Sequence, residues 1–211
     1  LEKEASGVDI LQDGSGFVAR GSDFSVSVRS LTGCEAFYVH GFARLPRSLQ
    51  IFDPLGVAVL KLYWKSKDNP AAADAVVEQL SVPMPPHLAL ADDREESFAA
   101  PATPEAAPGI PANAYGALIE WAQKAGESIE LTAGNTRASM SVSRTLRRLQ
   151  PMNDWFNILD PGFNLHLQEK SVVSARAEAD DAHHLASFFD RANNEILALR
   201  LPLESQSSIL S

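Results

Sequence analysis

The side chains best suited to hold a metal or a metal-bearing group are five histidines: His40, His87, His166, His183 and His184. A neutral imidazole offers one ring nitrogen as a ligand while the other donates a hydrogen bond. His166 lies in Phe163-Asn164-Leu165-His166-Leu167, an alternation that puts it on the polar face of a half-buried strand, free to bond across a sheet. His183 and His184 follow Asp180-Asp181. These are ligand residue types, but they fall where the chain must reverse, and strand neighbours face opposite ways, so a solvated turn is expected. Arg144, Arg147 and Arg148, with Arg137 upstream, form a basic run. It is either a solvated strand end or a seat for a carboxylate- or phosphate-bearing ligand. No spacing matches the zinc-protease, paired-cysteine, P-loop or nucleophile-elbow patterns, so no catalytic acid, base or nucleophile can be named.

Composition narrows the classes. With 211 residues, 45% apolar and 21% charged, the chain is an ordinary globular one, long enough for one large domain or two half-domains. A net charge of −9 argues against nucleic acid as a partner, since phosphate contacts need a basic surface. Every apolar run is too short for membrane insertion. Cys34 is the single cysteine, which excludes an internal disulfide, fits a reducing compartment and reads as buried filler. Leu1–Asp9 has no basic segment followed by an apolar one, so no secretory signal is read there.

A duplicated phrase organises the chain. Residues 48–62, Ser48-Leu49-Gln50-Ile51-Phe52-Asp53-Pro54-Leu55-Gly56 and onward to Leu62, align without a gap on 185–199, which centres on Phe188-Phe189-Asp190-Arg191-Ala192-Asn193. Each copy reads as a β-hairpin whose turn opens on Asp and closes on Gly56 or Asn193, the residue types that tolerate left-handed backbone. Seven of the 13 prolines fall between Pro83 and Pro111, and a linker over 82–111 follows. A short helix after Asn69-Pro70 and a second one, capped by Asn113 and ended by Gly126, flank it. The second has the apolar face Tyr115, Leu118, Ile119 and Ala122. Strand-like runs dominate elsewhere. The expected class is α+β, with internally duplicated antiparallel sheet repeats over 1–81 and 112–203, a few flanking helices and a tail over 204–211.

Met152-Asn153-Asp154-Trp155-Phe156-Asn157-Ile158-Leu159-Asp160-Pro161-Gly162-Phe163-Asn164-Leu165-His166-Leu167 resembles the W-x-N-V-L-D-P-x-F-N-L-H-L signature of the haemin-degrading and haem-trafficking HemS/ChuX family. Arg47-Ser48-Leu49-Gln50-Ile51-Phe52-Asp53 is similar to the R-S-L-Q-F-F-D phrase of that family's first half. The resemblance implies a duplicated cytoplasmic protein that takes haem from an importer or passes it to a haem-accepting protein, and in some members cleaves the ring. The family's axial histidine sits in a T-H-x-F-F-like helix between the halves, and this chain has no such motif. His87, in the linker, occupies the corresponding region and is the candidate iron ligand by position. His40, in His40-Gly41-Phe42-Ala43, is similar to a first-half H-G-F-A stretch, and His166 lies inside the signature. Arg144, Arg147 and Arg148 are the candidate cations for haem propionates. Trp155 and Phe156 read as core or repeat-interface packing.

Two function classes fit these residues. One is a cytoplasmic haem-binding protein of haem-iron utilisation, for transfer, storage or degradation. The other is a divergent binding or regulatory module that kept the duplicated scaffold and lost the iron ligand.

Overall fold

The computed structural model describes residues 2–3, 8–13, 16–39, 47–54, 56, 58–64 and 110–202. Its chain divides into two compact units, Leu1–Ser30 with Phe98–Ser211, and Leu31–Ser97. Residues of 1–81 thus fall in both units, the strands near the N-terminus lying with the second half. The helix expected after Asn69 and nearly all of the linker lie outside the described residues.

In the smaller unit β5 (Glu35–Val39), β6 (Arg47–Phe52) and β7 (Ala58–Trp64) form a three-stranded antiparallel sheet in that order. The larger unit holds β1 (Glu2–Lys3), β2 (Asp9–Asp13), β3 (Gly16–Arg20) and β4 (Phe24–Val28) from the N-terminal side. Its later strands are β8 (Ser128–Gly134), β9 (Ala138–Thr145), β10 (Trp155–Asp160), β11 (Phe163–Gln168), β12 (Ser174–Ala179), β13 (His183–Phe189) and β14 (Glu195–Pro202). Eight of them make one sheet in the order β12-β13-β14-β8-β9-β4-β3-β2, and β1-β11-β10 make a second. All pairings are antiparallel. The β4–β9 pair, with Val26 opposite Met140, joins the two ends of the chain. Cys34 is half-buried.

The duplicated phrase folds into two hairpins of the same geometry. In β6–β7 the register steps between Ile51 and Phe52, and in β13–β14 it steps between the aligned residues Phe188 and Phe189. Gly56 (φ 82°) and Asn193 (φ 58°) both close the turn in left-handed backbone. Each donates its N–H to the carbonyl of the opening aspartate, Gly56 to Asp53 at 2.9 Å and Asn193 to Asp190 at 3.0 Å. The Asp190 carboxylate also accepts the N–H groups of Ala192 and Asn194, each at 2.8 Å.

Helix α1 (Ala114–Ala125) buries Tyr115, Leu118, Ile119 and Ala122, the face its periodicity predicts. It ends in a paired cap: Gly126 (φ 71°) donates to the Gln123 carbonyl and Glu127 to that of Ala122, which satisfies two terminal carbonyls. Asn113 precedes the helix but its side chain makes no capping bond, because its backbone (φ −89°, ψ 6°) is not extended as a side-chain cap requires. The buried face of α1 packs with Ile129, Leu131, Phe156, Ile158, Phe163, Phe188, Leu197 and Leu199 in one core. Tyr115 is its aromatic hub, meeting Phe156 edge-on at 5.5 Å and Phe188 at 5.6 Å between ring centroids.

Candidate functional site

The signature stretch builds a small sheet whose two faces have different work. Residues 148–152 run back along β10, with bridges from Leu149 to Ile158 and from Met152 to Trp155. Asn153 (φ 54°) turns the corner, as two-residue hairpin loops require. Strand β11 pairs on the other side of β10, Asn157 opposite His166 and Leu159 opposite Asn164. Phe156, Ile158, Phe163, Leu165 and Leu167 are buried, the alternation expected for 163–167. The other face carries Arg148, Gln150, Met152, Trp155, Asn157 and His166. Trp155 is 41% and Met152 57% exposed. The expectation that Trp155 packs away beside Phe156 is thus corrected: adjacent strand residues point to opposite faces, and only Phe156 points inward.

A polar row crosses the bridged segment 148–150, β10 and β11 on this face. Arg148 Nη2 donates to Gln150 Oε1 at 3.1 Å. Asn157 Nδ2 donates to the Gln150 carbonyl at 3.0 Å, and His166 Nδ1 lies 2.8 Å from Asn157 Oδ1. Asn157 is buried, 5% exposed, and both ends of its amide are used. His166 is exposed, and its Nε2 meets no partner among the described residues. By strand and residue spacings the Cα atoms of Arg148 and His166 stand about 12 Å apart.

The three arginines separate. Arg144 turns inward, its side chain 18% exposed, with Nε 3.7 Å from a fully buried Asp160 carboxylate oxygen and its guanidinium 4.9 Å from the Phe163 ring centre. The same carboxylate accepts the backbone N–H groups of Arg147, at 3.2 Å to each oxygen, and of Arg148, at 2.7 Å. Asp160 therefore anchors the backbone from which Arg147 and Arg148 project, and both of those residues are exposed. The trio does not act as one unit, whether as a solvated strand end or as an anion seat. Arg144 is committed to the interior because a buried carboxylate needs a counter-charge.

His40 and His87 lie outside the described residues. The turn lies just before the histidines, where Asp180 accepts the N–H groups of Ala182 and His183 at 2.8 and 2.7 Å. The solvated-turn expectation for His183 and His184 is corrected, since both are half-buried and open β13, opposite Pro202 and Leu201. The other Asp180 oxygen pairs with Arg200 at 2.9 Å. Those amide bonds, then the Arg200 and His183 charges, hold the Asp180 carboxyl below its usual range. Among the described residues no three His, Cys, Asp or Glu side chains converge on a metal position.

Tyr115 is a further haem-ligand type that the sequence reading did not single out. It lines a cavity of about 310 Å³ with Ala112, Asn113, Glu169, Lys170 and Val172. Burial first, and then the Glu169 charge, push its phenol above the usual 10.0, so it stays protonated at neutral pH in the metal-free chain. Below pH 10 the group is protonated in both folded and unfolded chains. Above it the unfolded chain ionises first, so stability falls as pH rises toward the raised folded value. Tyr115→Phe should leave the urea midpoint near neutral pH almost unchanged and remove part of the alkaline loss. Parallel wild-type and variant profiles above pH 10 would contradict this. A second, smaller cavity of about 130 Å³ is lined by residues including Arg29, Thr132, Asn135 and Glu195. The smaller cavity falls well below the roughly 300–1,000 Å³ of cofactor-sized pockets, and the larger only reaches the bottom of that range. The residue types of the His166 face nevertheless suit haem: an exposed imidazole, an exposed cation and apolar surface from Trp155 and Met152.

Residues 93–204 match the model of the haemin-degrading HemS/ChuX domain. The chain belongs to the HemS/ChuX family. This match covers over half the chain and supports a function in haem utilisation. Among solved structures, the chain is similar to holo-PhuS, a heme-binding protein from Pseudomonas aeruginosa, at 22% identity and TM-score 0.69 over 93% of this chain and 70% of that one. It is similar also to ChuS, a heme-degrading enzyme from Escherichia coli O157:H7, at 18% identity and TM-score 0.72 over 96% and 73%. At these identities the likeness shows the fold. No curated protein matches the sequence significantly. Among the described residues no helix is long and apolar enough to cross a membrane.

Proposed function

We propose that this HemS/ChuX protein binds haem as cargo in cytoplasmic haem-iron utilisation, with His166 Nε2 as the axial ligand and Arg148 as a cation for a propionate. The observation that carries this reading is the polar row of the signature sheet, which holds an imidazole and a guanidinium on one face beside Trp155 and Met152. Arg147 is the second exposed cation near that edge, and Arg144 is reserved for Asp160. Haem, when bound, would supply the iron chemistry that ring cleavage needs. The chain's own groups bind and orient it. An importer or a haem-accepting protein is the natural partner of such a carrier. The two hairpins of matched register further support descent from a duplicated unit, with repeats near 1–81 and 112–203 and the proline-rich stretch 82–111 between them.

A haemin titration followed by absorption tests the reading, on wild type and on His166→Ala, His40→Ala and His87→Ala. The expected result is a saturating one-to-one Soret shift whose apparent affinity falls at least about tenfold in His166→Ala, the scale on which removed metal-site groups act. A shift kept in that variant but lost in His40→Ala or His87→Ala would move the ligand to the other histidine. No shift in wild type would overturn haem binding and leave the repurposed scaffold.

A further inference from the structure

We infer that Asn157 is a positioning residue that holds His166 in the Nδ1–H tautomer, so that the exposed Nε2 carries the lone pair. The backbone carbonyl of Gln150 can only accept. Asn157 presents Nδ2 to it at 3.0 Å, with the Trp155 carbonyl 3.5 Å from the same nitrogen. Rotating the amide by a half-turn would set Oδ1 against two carbonyl oxygens, all acceptors, in a buried position where an unmet polar group is costly. Oδ1 therefore faces His166 Nδ1 at 2.8 Å, and an oxygen acceptor at that distance requires a proton on Nδ1. In the neutral ring this leaves Nε2 unprotonated.

The register makes this a property of the backbone as well as of side chains. Asn157 and His166 are directly opposite on β10 and β11, and Gln150 is tied to Asn157 again by its own N–H, 2.8 Å from the Asn157 carbonyl. Gln150 also takes the Arg148 guanidinium, so one short row sets the ring's protonation and the cation's direction. Histidines that bind metals characteristically donate their other ring nitrogen to a fixed acceptor, and losing that acceptor lowers metal affinity about 10–100-fold. The tautomer stands on geometry alone. The role assigned to Nε2 rests on the haem reading.

Long-range proton–nitrogen correlation spectra of the ¹⁵N-labelled full chain at neutral pH test the inference without haem, the His166 ring being assigned by its absence in His166→Ala. The expected wild-type pattern is a protonated Nδ1 and an unprotonated Nε2. In Asn157→Leu, which has similar volume and no acceptor, the ring is expected to shift toward the Nε2–H form. A wild-type Nε2–H ring, or an unchanged Nδ1–H ring in a folded Asn157→Leu, overturns the inference. The wild-type spectrum decides the tautomer even where the variant does not fold. Haemin titration of Asn157→Leu should then show an affinity about 10–100-fold lower. Equal affinity in a wild type that binds through His166 would refute the positioning role. The expected tautomers in a wild type that takes up no haemin would refute only the haem reading.

Discussion

Asp160→Ala is expected to destabilise the larger unit by about 3–5 kcal/mol, the cost of breaking a buried ion pair from one side. The Asp160 side chain is fully buried and is the counter-charge of Arg144. It also accepts the amides of Arg147 and Arg148, and its removal strands two N–H donors and a guanidinium at once. Asp160→Asn should cost less, because one amide oxygen can still accept, though its NH₂ group then faces other donors. Urea denaturation of both variants, with Arg144→Met and the Asp160→Ala/Arg144→Met double variant, checks this. A coupling energy near zero would show that Arg144 and Asp160 do not depend on each other. Arg148 should also lose its fixed direction in Asp160→Ala, which weakens the polar row of the His166 face.

Phe188→Ala is the second large effect, about 3–5 kcal/mol and a fall in Tm of roughly 10 °C. Phe188 is completely buried, sits opposite Leu197 beside the register step of β13 and β14, and meets Tyr115 edge-on. Truncation would open a cavity between α1 and the sheet that rigid strands cannot close. Phe188→Leu keeps most of the volume and should cost less than about 1.5 kcal/mol. Thermal unfolding of the two variants separates cavity from chemistry. Equal losses would mean that the site collapses freely.

Much of the local structure is legible in the chain. The Asp-to-Asn and Asp-to-Gly turns, the buried face of α1 and its Gly126 stop, and the alternation at 163–167 all depend on neighbours a few residues apart, where stereochemistry and periodicity act directly. The signature of residues 152–167 marked the family for the same reason: it is one contiguous stretch. The candidate site was legible only in part. His166 was visible as a polar strand residue, but Asn157 drew no attention because an asparagine nine positions away has no visible relation to it until β10 and β11 pair. Trp155 reads as core or repeat-interface packing because it is large and apolar, and the strand's alternation turned it outward.

By itself, then, the sequence determined the family, the two hairpins, the helix face and the residue types available for haem. Only the tertiary structure decided how the termini combine, through the pairing of β4 with β9 more than a hundred residues apart, and which arginine faces inward. Arg144, Arg147 and Arg148 are chemically the same. What distinguishes them is the direction in which the chain presents each one to Asp160, and that direction is set by backbone pairing between distant segments.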